Sequence, residues 1–405
     1  ALVRAGAIGF EDAVQVVRGR LPGAGDWTHQ YASAARTGCS TDQRARLPLK
    51  LLWFGEPGPA RMIARHWKGP APLCVDGRMF VIGQYSLMAV DAYNGRPLWR
   101  RDLPKVGRFP SNAAGGNVAA DEDSVYVAAG NVCLRLDAAT GETVETYELP
   151  LARFDLQADE AKSLVWSYLA VGSNGVLGTM GTVQEGSHLF LISKQGKPQW
   201  TYTATGVVGN NAISMDEHHV YLIERTSPER IARAKKRGES APAIWKLVAL
   251  DVATGKVAWE TEDAIAGRTE LWLAQGVLLA TGGGGMSGYE AATGKPLYSR
   301  TASMRRFPVL VGACVYGEPA AYDLRTGTPI LRKSPFTDAE SAWSFTRSYG
   351  CGSISGGQNL LMFRSGTLGI YDLAGDSGVH NFGGVRAGCH VNAIAAAGLV
   401  LMPPG

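Results

Sequence analysis

Seven short segments of this chain set a basic or amide side chain beside residues able to stack or coordinate. They are Arg65-His66-Trp67-Lys68, Arg108-Phe-Pro-Ser-Asn112, Gly209-Asn210-Asn211, Arg268-Thr-Glu270, Arg305-Arg306, Arg347-Ser-Tyr-Gly-Cys351 and Arg386-Ala-Gly-Cys389-His390. Six of the seven contain Arg. A guanidinium is a planar fork of donors that matches carboxylate or phosphate. Several of them converging on one hollow would bind a polyanion or a carboxylated cofactor. That chemistry requires a fold that gathers segments lying tens of residues apart. Composition weighs against it, because Lys and Arg number 40 of 405 and a ten-residue loop holds about one by chance.

Other chemistries find less support. There is no GxSxG elbow, HExxH, phosphate-binding Walker loop or paired-carboxylate signature. Gly282-Gly-Gly-Gly285 follows an apolar strand and opens no helix, so it is not a phosphate cradle. The histidines at 29, 66, 188, 218, 219, 380 and 390 are scattered, and only His390 stands beside a soft ligand, Cys389. No metal site is expected. The stretch Arg225–Pro242 is long and basic; Ser227 followed by Pro228 reads as a helix start and Gly238 as its stop. It is expected to be a short exposed helix with a solvated charge run, or else a lid or a dock for an acidic partner.

The elements that would position these residues are written in a repeated phrase. A short apolar run ends in an acid, a turn closes on Gly, and an aromatic often follows four residues later. Leu247-Val-Ala-Leu-Asp251-Val-Ala-Thr-Gly255-Lys-Val-Ala-Trp259 is the clearest copy, and Leu87 to Trp99 the first. The marker glycines 95, 141, 196, 255, 294 and 327 lie 46, 55, 59, 39 and 33 residues apart by subtraction. Each phrase reads as a hairpin, with an earlier strand pair before it, such as the one around Asp121-Glu-Asp-Ser-Val-Tyr-Val. Four antiparallel strands per period of about 40–50 residues is the pattern of propeller blades, and closing the ring leaves only short protected edges. The fold class is therefore all-β, a propeller of four-stranded antiparallel blades, with eight blades expected and seven as the alternative. Val385 to Pro404 supplies a strand pair without a marker phrase. Residues 48–54, with Trp53, are expected to be the outer strand that closes this last blade, whose third strand would then lie after Gly405. In such a ring the seven segments above are the loops leading into each blade, on one face.

The Asp-x-x-Thr-Gly-x-x-x-Trp phrase resembles the repeat of the PQQ-like (quinoprotein) β-propellers over roughly residues 48–405. That family contains quinoprotein alcohol dehydrogenases and a non-catalytic propeller of bacterial outer-membrane assembly. Glu145 and Leu331 depart from the phrase where Trp belongs. In the dehydrogenases the resemblance implies PQQ on the axis, between an aromatic floor and a disulfide of adjacent cysteines. It also implies Ca²⁺ held by a carboxylate and an Asn, and an Asp base. This chain has no adjacent Cys pair, and Glu270 is its nearest carboxylate. Trp67, Trp166 and Trp343 are the candidate floor. A hard cation needs six or more oxygens, and the sequence does not present them. No cofactor is assigned; PQQ and Ca²⁺ stay as the alternative. Leu21 to Tyr31 also resembles the junction at which large bacterial proteins fuse this propeller to an upstream domain, sometimes methyltransferase-like. Residues 1–25 are then either that domain's last strand or an ordinary arm, with the propeller over 26–405.

The candidate ligand face is Arg65, His66, Trp67, Arg108, Asn211, Arg268, Arg305, Arg347 and Arg386. No catalytic residue is assigned. None of the six cysteines forms CxxC. Cys74, Cys133 and Cys314 are expected to be buried. Cys351 and Cys389, each just before the first strand of a blade, are the pair a disulfide would join. Cys39, or a cysteine beyond Gly405, competes for either. The net charge of +4 implies neither nucleic acid nor an anionic membrane. No apolar run is long enough to span a bilayer, and the first residues show no signal peptide. The expected function is a non-catalytic binding or scaffold propeller in a larger bacterial multidomain protein. A protein partner or small anionic ligand would sit over the axial channel. The alternative is a divergent PQQ-dependent oxidoreductase. The resemblance leans the location to the periplasm or cell exterior.

Overall fold

The computed structural model describes residues 19–55, 70–104, 106, 116–240, 244–302, 304–305, 307–334, 337–350, 352–388, 390–391 and 393–403. The chain is a β-propeller of antiparallel blades. Leu73–Val75, Arg78–Gly83, Ser86–Asp91 and Pro97–Asp102 pair in chain order as one sheet. Val118–Ala120 to Thr143–Glu148, Glu270–Ala274 to Pro296–Thr301, and Ser355–Gly356 to Gly378–Phe382 repeat that order. Burial falls from the inner strands to the outer one: Ser124–Ala129 is buried throughout, while Thr143–Glu148 is mostly exposed.

Each part of the repeated phrase has a mechanical task. Asp251 Oδ1 accepts the Thr254 N–H at 2.8 Å and its hydroxyl at 2.7 Å, which shapes the turn. Gly255 has φ +69°, and a Cβ there would lie 2.6 Å from the Trp200 ring. Only glycine meets both demands. Trp200 Nε1 then donates to Val252 O at 2.8 Å, so a tryptophan on one blade's outer strand pins the next blade's turn. Trp99 on Ala138, Trp259 on Ala291 and Tyr298 on Leu324 repeat this lock at 3.0, 3.1 and 3.0 Å. Where Glu145 replaces tryptophan, Tyr147 two residues later makes the lock, its hydroxyl 2.8 Å from Lys194 O. Where Leu331 does, Arg332 ties across to Asp376 at 2.8 Å.

Four sheets depart from the simple pattern. Pro198–Met215 is one strand of 18 residues. Its first part is the outer strand of one blade, and Ile213–Met215 pairs with Val220–Leu222 as the innermost strand of the next. A register shift between Val208 and Ile213 makes the turn from one blade to the other. The Gly209-Asn210-Asn211 segment, expected as a loop, is therefore strand. Val309–Val311, Cys314–Tyr316 and Ala321–Asp323 form three strands, beside a separate hairpin of Leu331–Lys333 with Glu340–Ala342. Ile394–Ala396 pairs with Leu399–Leu401 alone.

Residues 48–54, expected as a strand, carry no strand ladder. Leu47 and Leu49 pack on the cluster that holds Ala393, Ala395, Val400 and Met402, while Trp53 Nε1 donates to Ala92 O at 2.8 Å. Its ring covers Gly95 as Trp259 covers Gly294. The segment thus keeps the side-chain lock of an outer strand without a neighbour to hydrogen-bond.

The N-terminal arm is the feature that organises the interior. Trp27 exchanges two backbone hydrogen bonds with Cys74, and Thr28 O accepts from Ala120 N at 2.9 Å. His29 Nε2 accepts from Val171 N at 3.0 Å. Ala34 O, Ala35 O, Thr37 O and Gly38 O accept from Met215, Leu273, Leu310 and Gly356 at 2.8 to 3.0 Å. Asp42 Oδ2 finally takes both the Gly398 N–H at 2.7 Å and the Gly25 N–H at 2.9 Å. The arm therefore meets seven innermost strands in succession, then the turn of the Ile394–Leu401 hairpin, and closes on itself. Most contacts fall at or near the last residue of those strands, away from the blade-leading loops.

Candidate functional site

Arg65, His66, Trp67 and Arg108 lie outside the described residues, as do Cys351 and Cys389. The other candidates are placed, each with surroundings of its own. Arg268 turns back on its own blade, its Nη1 donating to Gly282 O at 2.9 Å and its Nε to Ser287 Oγ at 3.2 Å. Arg347 is buried, with Nε 2.9 Å from Glu318 Oε2 and the guanidinium 5.3 Å from the Phe363 ring centre. Its Nη1 donates to Gly352 O at 3.2 Å. Arg305 approaches the same pair through its backbone N–H, which donates to Glu318 O at 2.9 Å. The Arg305 and Arg386 side chains are exposed. Asn211 is buried, and its Oδ1 accepts from Arg36 Nη2 at 3.0 Å.

Arg36 is the cation that sequence reasoning missed. Its Nη1 donates to Asn210 O at 2.9 Å. Its guanidinium lies 4.7 Å from the Tyr31 ring centre and 4.8 Å from that of Trp272. Two aromatic faces and two acceptors offset part of the cost of burying the charge. Glu270 faces it electrostatically. Burial pushes the Glu270 carboxyl up, and the hydroxyls of Thr269 and Thr281 and the Arg36 charge oppose that shift. The small residues Ala32-Ser33-Ala34-Ala35 before Arg36 are the one sequence signal that this stretch threads a narrow space.

His29 makes the arm sensitive to pH. Val171 N–H is only a donor, so Nε2 must be unprotonated, while Nδ1 sits 2.7 Å from the Thr28 hydroxyl. Burial lowers the His29 pKa from 6.5 to about 4, with the Asp121 charge opposing weakly. The folded value lies below the unfolded one, so the unfolded chain takes up the proton first. Stability is full above about pH 6.5 and falls as pH drops toward about 4, by about 3 kcal/mol in all. Urea unfolding at pH 7.5, 5.5 and 4 is expected to show this slope, and His29→Gln, which accepts without titrating, to flatten it. Equal slopes for the two proteins would refute the assignment.

On the face of the blade-leading loops, the turn between Arg78–Gly83 and Ser86–Asp91 carries Tyr85, half-exposed with φ +54°. A bulky residue rarely adopts that backbone. A cavity of about 650 Å³ lies there, lined by Gln84, Tyr85, Asp102 and Pro104. The basic stretch forms the exposed helix Pro228–Lys236, capped by Ser227 Oγ accepting the Arg230 N–H at 3.1 Å.

The described residues do not fit the PQQ arrangement. Trp166 packs edge-on to Phe190 inside a blade, and Trp343 packs among Phe345 and Tyr371. Trp272, the aromatic beside the arm, is covered by Arg36. Glu270 and Asn211, the carboxylate and amide nearest each other in role, have their oxygens taken by Thr269, Thr281 and Arg36. Among the described residues no three His, Cys, Asp or Glu side chains gather as metal ligands. Cys39, named as a competing disulfide partner, is a free buried thiol pushed up to about 12 by burial. Cys74 and Cys133 are buried as expected, whereas Cys314, the first residue of its strand, is only partly so.

The profile of the family described as outer membrane protein assembly factor BamB matches residues 50–330. The chain belongs to this family. No curated protein sequence matches it. Among solved structures it is similar to the quinohemoprotein alcohol dehydrogenase from Comamonas testosteroni, with a TM-score of 0.59 and 14% identity over 92% of this chain and 75% of that one. A europium-containing methanol dehydrogenase gives 0.57 and 13%, over 91% of this chain and 87% of the other. The computationally designed protein Ika8 gives 0.51 and 12%, over 82% and 94%. At these identities the likeness is one of fold. It places this member of the family among PQQ-like propellers.

Proposed function

We propose that this chain is a non-catalytic binding or scaffold propeller whose partner face is the side of the blade-leading loops. The ring is read as eight blades, one for each of the seven innermost strands and the last hairpin that the arm meets, with segment 48–54 closing the last onto the first through Trp53. The arm covers the opposite side. The observation that carries the reading is the internal commitment of the central polar groups: Arg36 with Asn210 and Asn211, Glu270 with two threonine hydroxyls, and Arg347 with Glu318. Groups already paired with one another position the fold rather than a reactant. The exposed Arg386 and the Tyr85 cavity are the features offered to a protein partner or a small anionic ligand. No helix of the described residues is long and apolar enough to cross a membrane. A periplasmic or extracellular location accords with the family's description, fusion to further domains belongs to the same reading, and nucleic acid is not among the proposed partners.

The second reading, a divergent quinoprotein oxidoreductase, draws on the likeness to two dehydrogenases. One experiment separates them. The protein is incubated with PQQ and Ca²⁺, and the cofactor's absorbance and the reduction of a redox dye by a primary alcohol are followed. The scaffold reading expects dye reduction no faster than in a protein-free control. Protein-dependent reduction that saturates with PQQ would replace it with the enzyme.

A further inference from the structure

The second and third strands of a blade are joined by short turns. Between Gly83 and Ser86, Ala129 and Val132, Gly181 and Glu185, Gly282 and Gly285, Tyr316 and Ala321, and Ser365 and Thr367 lie one to four residues, by subtraction. Between His219–Arg225 and Trp245–Asp251 the same connection runs through 19 residues, 226–244. Its base is closed: Thr226 N donates to Ile244 O at 3.0 Å, and Ile244 N to Thr226 Oγ1 at 2.9 Å. The blade is therefore complete without the excursion. The excursion carries the helix Pro228–Lys236, in which no residue is buried. It rises from the face of the Tyr85 turn, because both connections join a second strand to a third.

The excursion also holds the charge. Its five basic and two acidic residues make +3 of the chain's net +4, so the rest of the chain is close to neutral. Arg230, Arg233 and Arg237 recur at i, i+3 and i+7. Helical geometry puts them within about 60° of one another around the axis, and about 4.5 and 6 Å apart along it. Arg237, the C-cap, keeps αR backbone and continues the stripe. Among the described residues no carboxylate pairs with any of the three, whereas Glu185 holds Arg225 at the base and Asp376 holds Arg332. Helix stability accounts for part of the run only. Lys235 and Lys236 in the last turn suit the C-terminal end of the dipole. Arg230 is the third helical residue, where the dipole favours an acid and a capping box places Glu or Gln. Its charge is set against the helix that carries it.

We propose that this stripe docks an acidic helix of a partner protein, whose carboxylates recur three and four residues apart and face the three guanidiniums. A guanidinium takes a carboxylate through two parallel N–H donors. Two helices lying side by side share one rise per residue, so such pairs stay in step along both. A membrane surface fits less well, because Ile231 is the only large apolar side chain of the helix and no apolar stripe accompanies the arginines. Nucleic acid also fits less well, because the near-neutral remainder of the chain offers few further phosphate contacts. The proposal rests on the scaffold reading above and names the partner's chemistry.

The test uses the whole chain and an alanine-based helical peptide of about 18 residues carrying a neutral fluorophore. Three glutamates, spaced four and three residues apart, lie on one face of the peptide. A control peptide has the same composition with the glutamates dispersed around the helix. Saturable binding of the matched peptide is expected, weakening as salt is raised. The control should bind about tenfold more weakly. The triple variant Arg230→Glu, Arg233→Glu, Arg237→Glu is expected to abolish binding. Arg230→Gln alone, which relieves the helix dipole and so keeps the fold, should weaken it about two- to threefold. No saturable binding, equal affinity for the two peptides, indifference to Arg230→Gln, or tighter binding to phosphatidylserine vesicles or to a duplex oligonucleotide would each overturn the proposal. Dye reduction in the PQQ assay would remove the scaffold reading and this dock with it. Failure of the peptide without dye reduction would remove the dock alone.

Discussion

Replacing Asp42 with alanine is expected to lower the unfolding free energy by about 4 kcal/mol. The carboxylate is fully buried and accepts four backbone N–H groups. Oδ1 takes those of Arg44 and Ala45 at 2.9 and 2.8 Å, and Oδ2 those of Gly25 and Gly398 at 2.9 and 2.7 Å. An alanine orphans all four, two of them buried donors worth about 1–3 kcal/mol each when unsatisfied and two part-buried donors worth less. Asparagine should do little better. Either orientation of its amide turns an NH₂ toward two N–H groups, so two donors lose their acceptor and face another donor. The midpoint of urea unfolding, and amide exchange at Gly25 and Gly398, measure the effect. A loss within about 1 kcal/mol for Asp42→Asn would show that the closure of the arm is not held by this side chain.

The second large effect is expected at Glu318. Glutamine there leaves the Arg347 guanidinium buried without its counter-ion, at a cost of about 3–5 kcal/mol. The pair is almost wholly inaccessible, with both side chains 5% exposed, so solvent cannot take over the lost partner. Removing both charges behaves differently. Glu318→Leu with Arg347→Met also removes the desolvation penalty, and the double variant should recover most of the loss, because apolar replacements of a buried pair are often neutral. Urea unfolding of the two single variants and the double one gives the coupling directly. Additive losses would show that the charges act separately.

The architecture was legible because the phrase that encodes it is made of residues with few alternatives. Gly255 sits where a Cβ would strike the Trp200 ring, and Asp251 where a turn needs an acceptor, so both residue types announce their place. The helix Pro228–Lys236 was legible for the same reason: a capping serine, a proline and a stop glycine are local signals. The partners of the candidate arginines were not readable at that level. Whether a guanidinium faces a channel or its own blade depends on partners far away in sequence, as with Arg347 on Glu318 and Arg268 on Gly282. The arm was hidden for a different reason. Most of its contacts run through backbone carbonyls and amides, which every residue possesses, with a few side chains such as Arg36, His29, Gln30 and Asp42 added. Residues 48–54 were read as a strand from their apolar run, and the run proved to carry a lock without a ladder.

The arm's rungs follow the order of the chain: 27, 28, 29, 34, 35, 37, 38 and 42 meet 74, 120, 171, 215, 273, 310, 356 and 398. The arm, which precedes these strands in the chain, is thus a template with one place reserved for each blade that the ribosome later delivers. Gene-level gain or loss of a single blade would leave the template a place short or a place over, so the size of the ring is fixed from its hub as well as by its neighbour-to-neighbour locks.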